Sequence, residues 1–302
     1  MGRKKEITSE ELINKWLKTT KKSVKASTYS TYTQIINRHI LPYFKDKKIN
    51  QKCVEKFIEE KKKAGYKATT INNIIVVLNN VLKGNKDIKA KKLKQPKKKT
   101  RILTDFERER LERYLLENLN FFNFGLLLML YTGLRVGELS ALQVTDINAS
   151  TGIVSITKTL ERIKNTDHNA KTKTKIIITT PKSESSIRDI ALINFIMEQY
   201  KRLYKGHNTG FLLTGTSRYV EPHQVDRQFK KILQECNLQS INIHALRHTF
   251  ATEFYRHTRD IKTLTQILGH SSESITLKLY VHSDLNEQKR GIEKMSKNLK
   301  SA

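Results

Sequence analysis

Residues 121–131, FFNFGLLLMLY, constrain this chain more than any other stretch. The run is apolar nearly all the way round a helix, and a helix with no polar face is stable in water only when other elements surround it. It is shorter than the roughly 18 residues of a membrane span and is interrupted by Asn123 and Gly125, so it reads as the buried central helix of a globular domain. Gly133 should end it, and Arg135 then opens a new segment with Glu138, Leu139 and Leu142. An arginine delivered beside a buried helix must be paired or functional, because an unpaired buried charge is costly.

A chain of 302 residues has room for about two domains, and its 37% hydrophobic content is enough for ordinary cores. Its formal charge of +28 is not ordinary. Self-repulsion of that size points to a polyanionic partner, with nucleic acid ahead of an anionic membrane. The N-terminus, MGRKKEITSEE, is charged where a secretory segment would be apolar. Cys53 and Cys236 have no CxxC spacing, which fits a reducing, cytoplasmic setting, with a nucleoid-associated location if the partner is DNA. Residues 1–100 hold 27 Lys and Arg against 8 Asp and Glu, so the N-terminal third is the stronger candidate for gripping phosphates.

Along that third, Thr8 and Glu11 form a capping-box pattern ahead of a helix with Leu12, Ile13, Trp16 and Leu17 on one face. A second helix should start near Ser27 and carry Tyr32, Ile35, Ile36 and His39 towards Pro42, which ends or bends it. Residues 50–63 give a third helix and residues 68–82 a fourth, with Ile71, Ile74, Ile75, Leu78, Val81 and Leu82 at helical spacing. The expectation is a bundle of four or five helices. Lys67, Thr69, Thr70, Asn72 and Asn73 cluster at the start of the fourth helix, where short polar side chains and free N–H groups can hold phosphates. Residues 89–100, KAKKLKQPKKKT, with seven lysines and Pro96, read as a basic linker.

A second capping box, Thr104 with Glu107, opens the next region ahead of Phe106, Leu111, Tyr114 and Leu115. Residues 153–156, 175–179 and 187–192 have strand character and are separated by a polar excursion at 157–174 and a turn at 181–186. Helices are expected at 192–205 and 222–237, with a short apolar segment at 211–213 between them. The polar tail from residue 284 has a weak helical pattern, and no internal repeat is evident.

Residues 242–282 hold five of the nine histidines. His244 and Arg247 lie three apart and project from one helical face, Leu268-Gly269-His270 closes a further helix at a glycine, and Tyr280 follows ten residues after His270. Arginines suit a reaction that loads negative charge onto phosphate oxygens, since their planar forks bind bidentately and stay protonated. Each could equally be a structural ion pair, as Arg135 with Glu138. A tyrosine on a helix is ordinarily half-buried core, and Tyr255 competes with Tyr280 on proximity to Arg247. His244 and His248 have the i, i+4 spacing of zinc ligands, but Ala245 stands where a metalloprotease carries its glutamate and no third ligand is evident, so no metal or other cofactor is expected.

As a set, Thr132-Gly133-Leu134-Arg135, His244-Ala245-Leu246-Arg247, Leu268-Gly269-His270 and Tyr280 resemble the tyrosine recombinases of the phage-integrase family. The resemblance spans residues from about 8 to 285. It implies a mainly α fold with a small β-sheet (α+β): a helical, SAM-like core-binding domain at 1–88, the basic linker at 89–100, a catalytic domain at 101–285, and a tail at 286–302 able to contact a neighbouring protomer. It implies that Arg135 and Arg247 grip the scissile phosphate, Tyr280 forms a 3′-phosphotyrosyl link, His244 is the base, and His270 hydrogen-bonds the phosphate. Lys182, in a hairpin turn, matches the general acid, with Lys171, Lys173 and Lys175 as alternatives. Glu138 and His248 match residues that orient the arginines and the helix. The partner implied is duplex DNA with inverted-repeat core sites, bound by a homotetramer that exchanges strands through a Holliday junction, with accessory bending or directionality factors possible.

The length is similar to that of the Xer recombinases, whereas the His270 to Tyr280 interval and the excursion at 157–174 are closer to phage and conjugative-element integrases. The core-binding pattern begins at once, so the resemblance does not include the arm-binding domain of many large phage integrases. Four rivals remain: dimer resolution or inversion by the same chemistry, DNA relaxation like that of type IB topoisomerases, a non-catalytic DNA-binding regulator, and an RNA-binding helical protein.

Overall fold

The computed structural model describes residues 8–84, 87–95, 101–167, 170–181 and 183–280, with isolated positions at 293 and 296. The described chain divides into two compact units, residues 1–99 with Arg162–Ile177 and Thr100–Glu161 with Ile178–Ala302. It is mainly helical with two small antiparallel sheets, the α+β class expected.

In the first unit, α1 (Ser9–Ser23) opens with the expected capping box: Thr8 Oγ1 accepts from the Glu11 N–H, and the Glu11 carboxylate accepts from the Thr8 N–H. α2 (Ala26–Ile35) runs through a π-helical turn at Ile36–Ile40 into α3 (Leu41–Phe44). Pro42 has no N–H to give the helix, and the widened turn lies directly before it. α4 (Gln51–Lys63) and α5 (Ala68–Val81) complete the bundle around Ile13, Ile36, Ile40, Phe44, Phe57, Ile75 and Leu78, all essentially inaccessible to solvent.

The start of the expected linker is held by side chains of α4 and α5. The Asn79 amide accepts from the Ala90 N–H and donates to its carbonyl, both at 2.9 Å, and Asn72 does the same to Leu93 at 2.8 and 3.0 Å. Gln51 Oε1 accepts from the Lys89 N–H at 3.1 Å. These side chains satisfy backbone groups of a segment that belongs to no helix or strand, and Ala90 is buried in the bundle core. Residues 96–100, including Pro96, lie outside the described residues.

The polar excursion holds a strand that the sequence reading missed. β3 (Thr159–Lys164) pairs with β4 (Thr174–Thr179), and the Lys164 carbonyl accepts from Ser30 Oγ at 3.0 Å within the first unit. Lys171, Lys173 and Lys175 sit on this hairpin, in that unit.

In the second unit, α6 (Asp105–Glu117) carries the Thr104/Glu107 capping box. Leu111 and Leu115 face inward as expected, but Phe106 is 67% exposed, because the buried stripe starts one turn later. α7 (Phe121–Thr132) is the buried central helix. A Cβ at Gly125 would come within 2.3 Å of Leu213 Cδ2 and 3.3 Å of Leu139 Cδ1, so close packing calls for a glycine inside this helix. Buried Asn123 donates its amide to the Asn118 carbonyl.

After α8 (Val136–Ala141) comes a three-stranded sheet in the order β1 (Ile147–Asn148), β2 (Ile153–Ile156), β5 (Arg188–Ala191). Its register sets Val154 opposite Ile190 and Ile156 opposite Arg188. The remaining helices are α9 (Asn194–Leu203), α10 (Pro222–Glu235), α11 (His244–Thr258), α12 (Ile261–Leu268) and α13 (Glu273–Tyr280). No helix among the described residues is long and apolar enough to cross a membrane.

Candidate active site

Two glycines build the site. Gly133 ends α7 at φ 64° and Gly269 ends α12 at φ 62°, a left-handed conformation that costs a side-chain-bearing residue about 1–2 kcal/mol. A Cβ on Gly269 would also approach the Ser185 carbonyl oxygen to 2.9 Å.

Both helix ends leave carbonyls without helical partners, and arginines take them. Arg188 Nε donates to the Ile267 carbonyl, Arg247 Nη2 to the Leu268 carbonyl at 2.8 Å, and Arg135 Nη2 to the Gly269 carbonyl at 3.2 Å. Arg247 Nη1 also donates to the Gly133 carbonyl at 2.7 Å. Three guanidinium groups thus converge on the C-terminus of α12, where the helix dipole is negative.

One carboxylate completes the cluster. Glu138, only 2% exposed, accepts from Arg135 Nη1 at 2.7 Å, from the Arg135 N–H at 2.9 Å, and from Arg188 at 3.2 and 3.0 Å. Burial pushes its pKa up, but the hydrogen bonds and charge of Arg188, then of Arg135, outweigh that and hold it below the usual carboxylate value.

His270 is half-buried beside this cluster. Its Nε2 lies 2.9 Å from Arg247 Nη2, and its Nδ1 lies 2.8 Å from Oγ1 of fully buried Thr276. Burial first, then Arg247, Arg135 and Arg188, push its pKa down to about 4, so the ring is neutral at physiological pH. His244 is exposed on the first turn of α11, whose start is pinned by the Ile243 N–H bond to Asp226. Partial desolvation and Arg247 lower its pKa. Desolvation, His244 and Arg247 lower that of His248. A lowered imidazole pKa leaves a neutral ring able to accept a proton.

Of the residues singled out from sequence, the structure brings Arg135, Glu138, Arg247 and His270 into one hydrogen-bonded cluster, with His244 and His248 along α11. Tyr280 is the last residue of α13, and its side chain lies outside the described residues, as do Lys182 and, apart from positions 293 and 296, the tail expected at 286–302. Tyr255 instead packs against the small cluster of Ala251, Leu264 and Leu268, with the Arg259 guanidinium 5.2 Å from its ring centre. Lys67, Thr69 and Asn73 are exposed at the start of α5 and Thr70 is half-buried there, whereas Asn72, expected to face DNA, is committed at both ends of its amide to the Leu93 backbone.

Sequence reading missed Arg188 and Thr276. Arg188 carried a usable signal: on β5 it shares a phase with Ile190 and sits opposite Ile156, so a period-2 reading turns it inward. Thr276 carried none, being a single threonine between Ile275 and Leu277.

Comparison with known proteins gives the cluster its context. Residues 119–287 match the phage integrase family, and residues 8–51 match the N-terminal SAM-like domain of phage integrases. The ICEBs1 integrase of Bacillus subtilis is 24% identical over 94% of this chain and 81% of its own length. A XerC-like tyrosine recombinase of Caldanaerobacter subterraneus is 28% identical over 63% of this chain, a match that spans about half (51%) of that relative. The fold is similar to that of the Tn1549 transposon integrase in complex with transposon right end DNA, with a TM-score of 0.74 at 18% identity covering 94% of this chain and 99% of that one. It is also similar to the lambda integrase of a tetramer bound to a Holliday junction, with a TM-score of 0.64 at 18% identity covering 92% and 78%. With the family model matching more than half of its length, from before α7 to beyond α13, the chain belongs to the phage integrase family, the tyrosine recombinases.

Proposed function

We propose that this chain is a site-specific DNA recombinase of a mobile element, cutting and rejoining duplex DNA through a 3′-phosphotyrosyl intermediate formed by Tyr280. The observation that carries this reading is the convergence of Arg135, Arg247 and His270 at the end of α12. There, two permanent cations and a neutral imidazole can meet the non-bridging oxygens of one phosphate as charge grows on them. Because the arginines are anchored beforehand by carbonyls and Glu138, little reorganisation is needed when the phosphate arrives.

In this reading His244 takes the Tyr280 proton, Lys182 protonates the departing 5′ oxygen, and Glu138 and His248 act by positioning. A covalent link to tyrosine keeps the energy of the broken bond, so rejoining needs no ATP. No step calls for a metal or other cofactor. Lys67, Thr69, Thr70 and Asn73 would contact phosphates from the first unit. The DNA would carry inverted core sites held by four protomers exchanging strands through a Holliday junction; the similar lambda integrase has been solved as a tetramer bound to such a junction. Domain limits near 88–101 and 285, a tail docking on a neighbouring protomer, accessory DNA-bending or directionality factors and a cytoplasmic, nucleoid-associated location belong to the same proposal.

The test is covalent capture on DNA from the chain's own flanking sequence. Wild-type protein should give a detergent-resistant protein–DNA adduct, and Tyr280→Phe should give none while still retarding the duplex on a gel. An adduct formed by Tyr280→Phe would overturn the assignment. Relaxation of supercoiled DNA lacking that sequence would favour the topoisomerase reading.

A further inference from the structure

The hydrogen bonds around His270 pose a problem for any bound phosphate. Arg247 Nη2 carries two hydrogens; one goes to the Leu268 carbonyl at 2.8 Å, and the other points at His270 Nε2 at 2.9 Å. Since Nη2 can only donate, Nε2 must accept. The ring is neutral, because burial first, and then the charges of Arg247, Arg135 and Arg188, disfavour an imidazolium. Its proton therefore sits on Nδ1, which donates to Thr276 Oγ1 at 2.8 Å. A phosphate oxygen is also only an acceptor, so a lone pair on Nε2 would repel the very group the site is read as holding.

Thr276 can resolve this. Its hydroxyl is an acceptor with two lone pairs and also a donor, and Thr265 Oγ1 already donates to it at 2.9 Å in a pair excluded from solvent. With Thr265 supplying one bond, Thr276 can turn its own hydrogen onto His270 Nδ1.

We propose that the Thr265–Thr276 hydroxyl pair switches the tautomer of His270, from one in which Nε2 accepts from Arg247 to one in which Nε2 donates to a bound phosphate. The inference rests on the reading of this site as a phosphoryl-transfer centre. The ring stays neutral: the proton lost at Nδ1 and the one gained at Nε2 exchange with water through the half-exposed imidazole, and the freed Nη2 hydrogen of Arg247 also turns to the phosphate. Thr276 is a positioning residue here. It lies four residues before Tyr280 on α13, so the seating of that helix and the state of the histidine are linked.

Nitrogen-15 NMR of the histidine-labelled full chain, alone and with the diester dimethyl phosphate, whose oxygens can only accept, reads the switch. The free protein should show His270 as the Nδ1–H tautomer, and phosphate should convert it to neutral Nε2–H. In Thr276→Val, which keeps the shape and loses the hydroxyl, phosphate should fail to convert the ring. Adduct yield on the native duplex should fall about ten- to hundredfold, with gel retardation unaltered and most of the loss recovered in Thr276→Ser. An Nε2–H ring in the free protein overturns the proposal. So does an imidazolium or an unchanged Nδ1–H ring with phosphate bound, or a Thr276→Val protein that matches wild type in adduct yield. If phosphate moves no His270 resonance at all, the site holds no oxyanion and the functional reading falls with it.

Discussion

The two units hold their positive charge in opposite ways. On the first, Lys67 and, at the end of α4, Lys62 and Lys63 are exposed, while on the second Arg135, Arg188 and Arg247 are fixed by carbonyls and a buried carboxylate. Exposed lysines are interchangeable and their grip is screened by salt. A buried guanidinium whose hydrogens are assigned one by one cannot be moved by one residue. In the proposed function the excess charge of the chain would serve approach and grip, and the few anchored guanidinium groups the chemistry.

The largest effect that sharpens this contrast should come from Glu138→Ala. It strands Arg188 and Arg135 without their shared carboxylate, and breaking a buried pair costs about 3–5 kcal/mol. Urea denaturation should show that loss, whereas an unchanged midpoint would mean that the helix-end carbonyls suffice.

Next is a pH effect. The pKa of His270 in the folded state is about 4, below the 6.5 of an unperturbed histidine, so the unfolded chain binds the extra proton first. Stability should fall as pH drops from 6.5 towards 4. His244 and His248, also lowered, add to the slope in the same direction. Melting temperatures of His270→Gln across that window should show a shallower slope than wild type, and an equal slope would contradict the buried neutral ring.

The two smallest effects separate neighbours on α5. Asn72→Ala should cost about 1–2 kcal/mol by releasing the Leu93 backbone, at two ordinary hydrogen bonds, and leave the salt dependence of DNA binding intact. Lys67→Ala should leave melting unchanged and reduce the slope of log affinity against log salt by about one. The reverse pattern would restore Asn72 to the DNA-facing surface.

Much of the architecture was legible because it is local. Thr8 with Glu11 and Thr104 with Glu107 mark helix starts by chemistry that acts over three residues, and Gly133 and Gly269 mark ends that call for a left-handed backbone. β3 escaped because its buried residues, Leu160 and Ile163, stand three apart and break the period-2 pattern. The residues at 89–93 read as linker because lysines hide a backbone held by side chains from α4 and α5.

By itself, then, the sequence determined where the main helices lie, that α7 lies at a centre, and which arginines and histidines match the family's motifs, since propensity, capping and motif spacing are properties of neighbours along the chain. Only the tertiary structure decided that Arg188 shares Glu138 with Arg135, that the end of α12 anchors all three guanidinium groups, and that His270 meets Thr276. Those pairings join groups far apart in the chain or at helix ends, and what selects them is the need to satisfy buried charges and free carbonyls, a requirement that arises only once the core has closed around them.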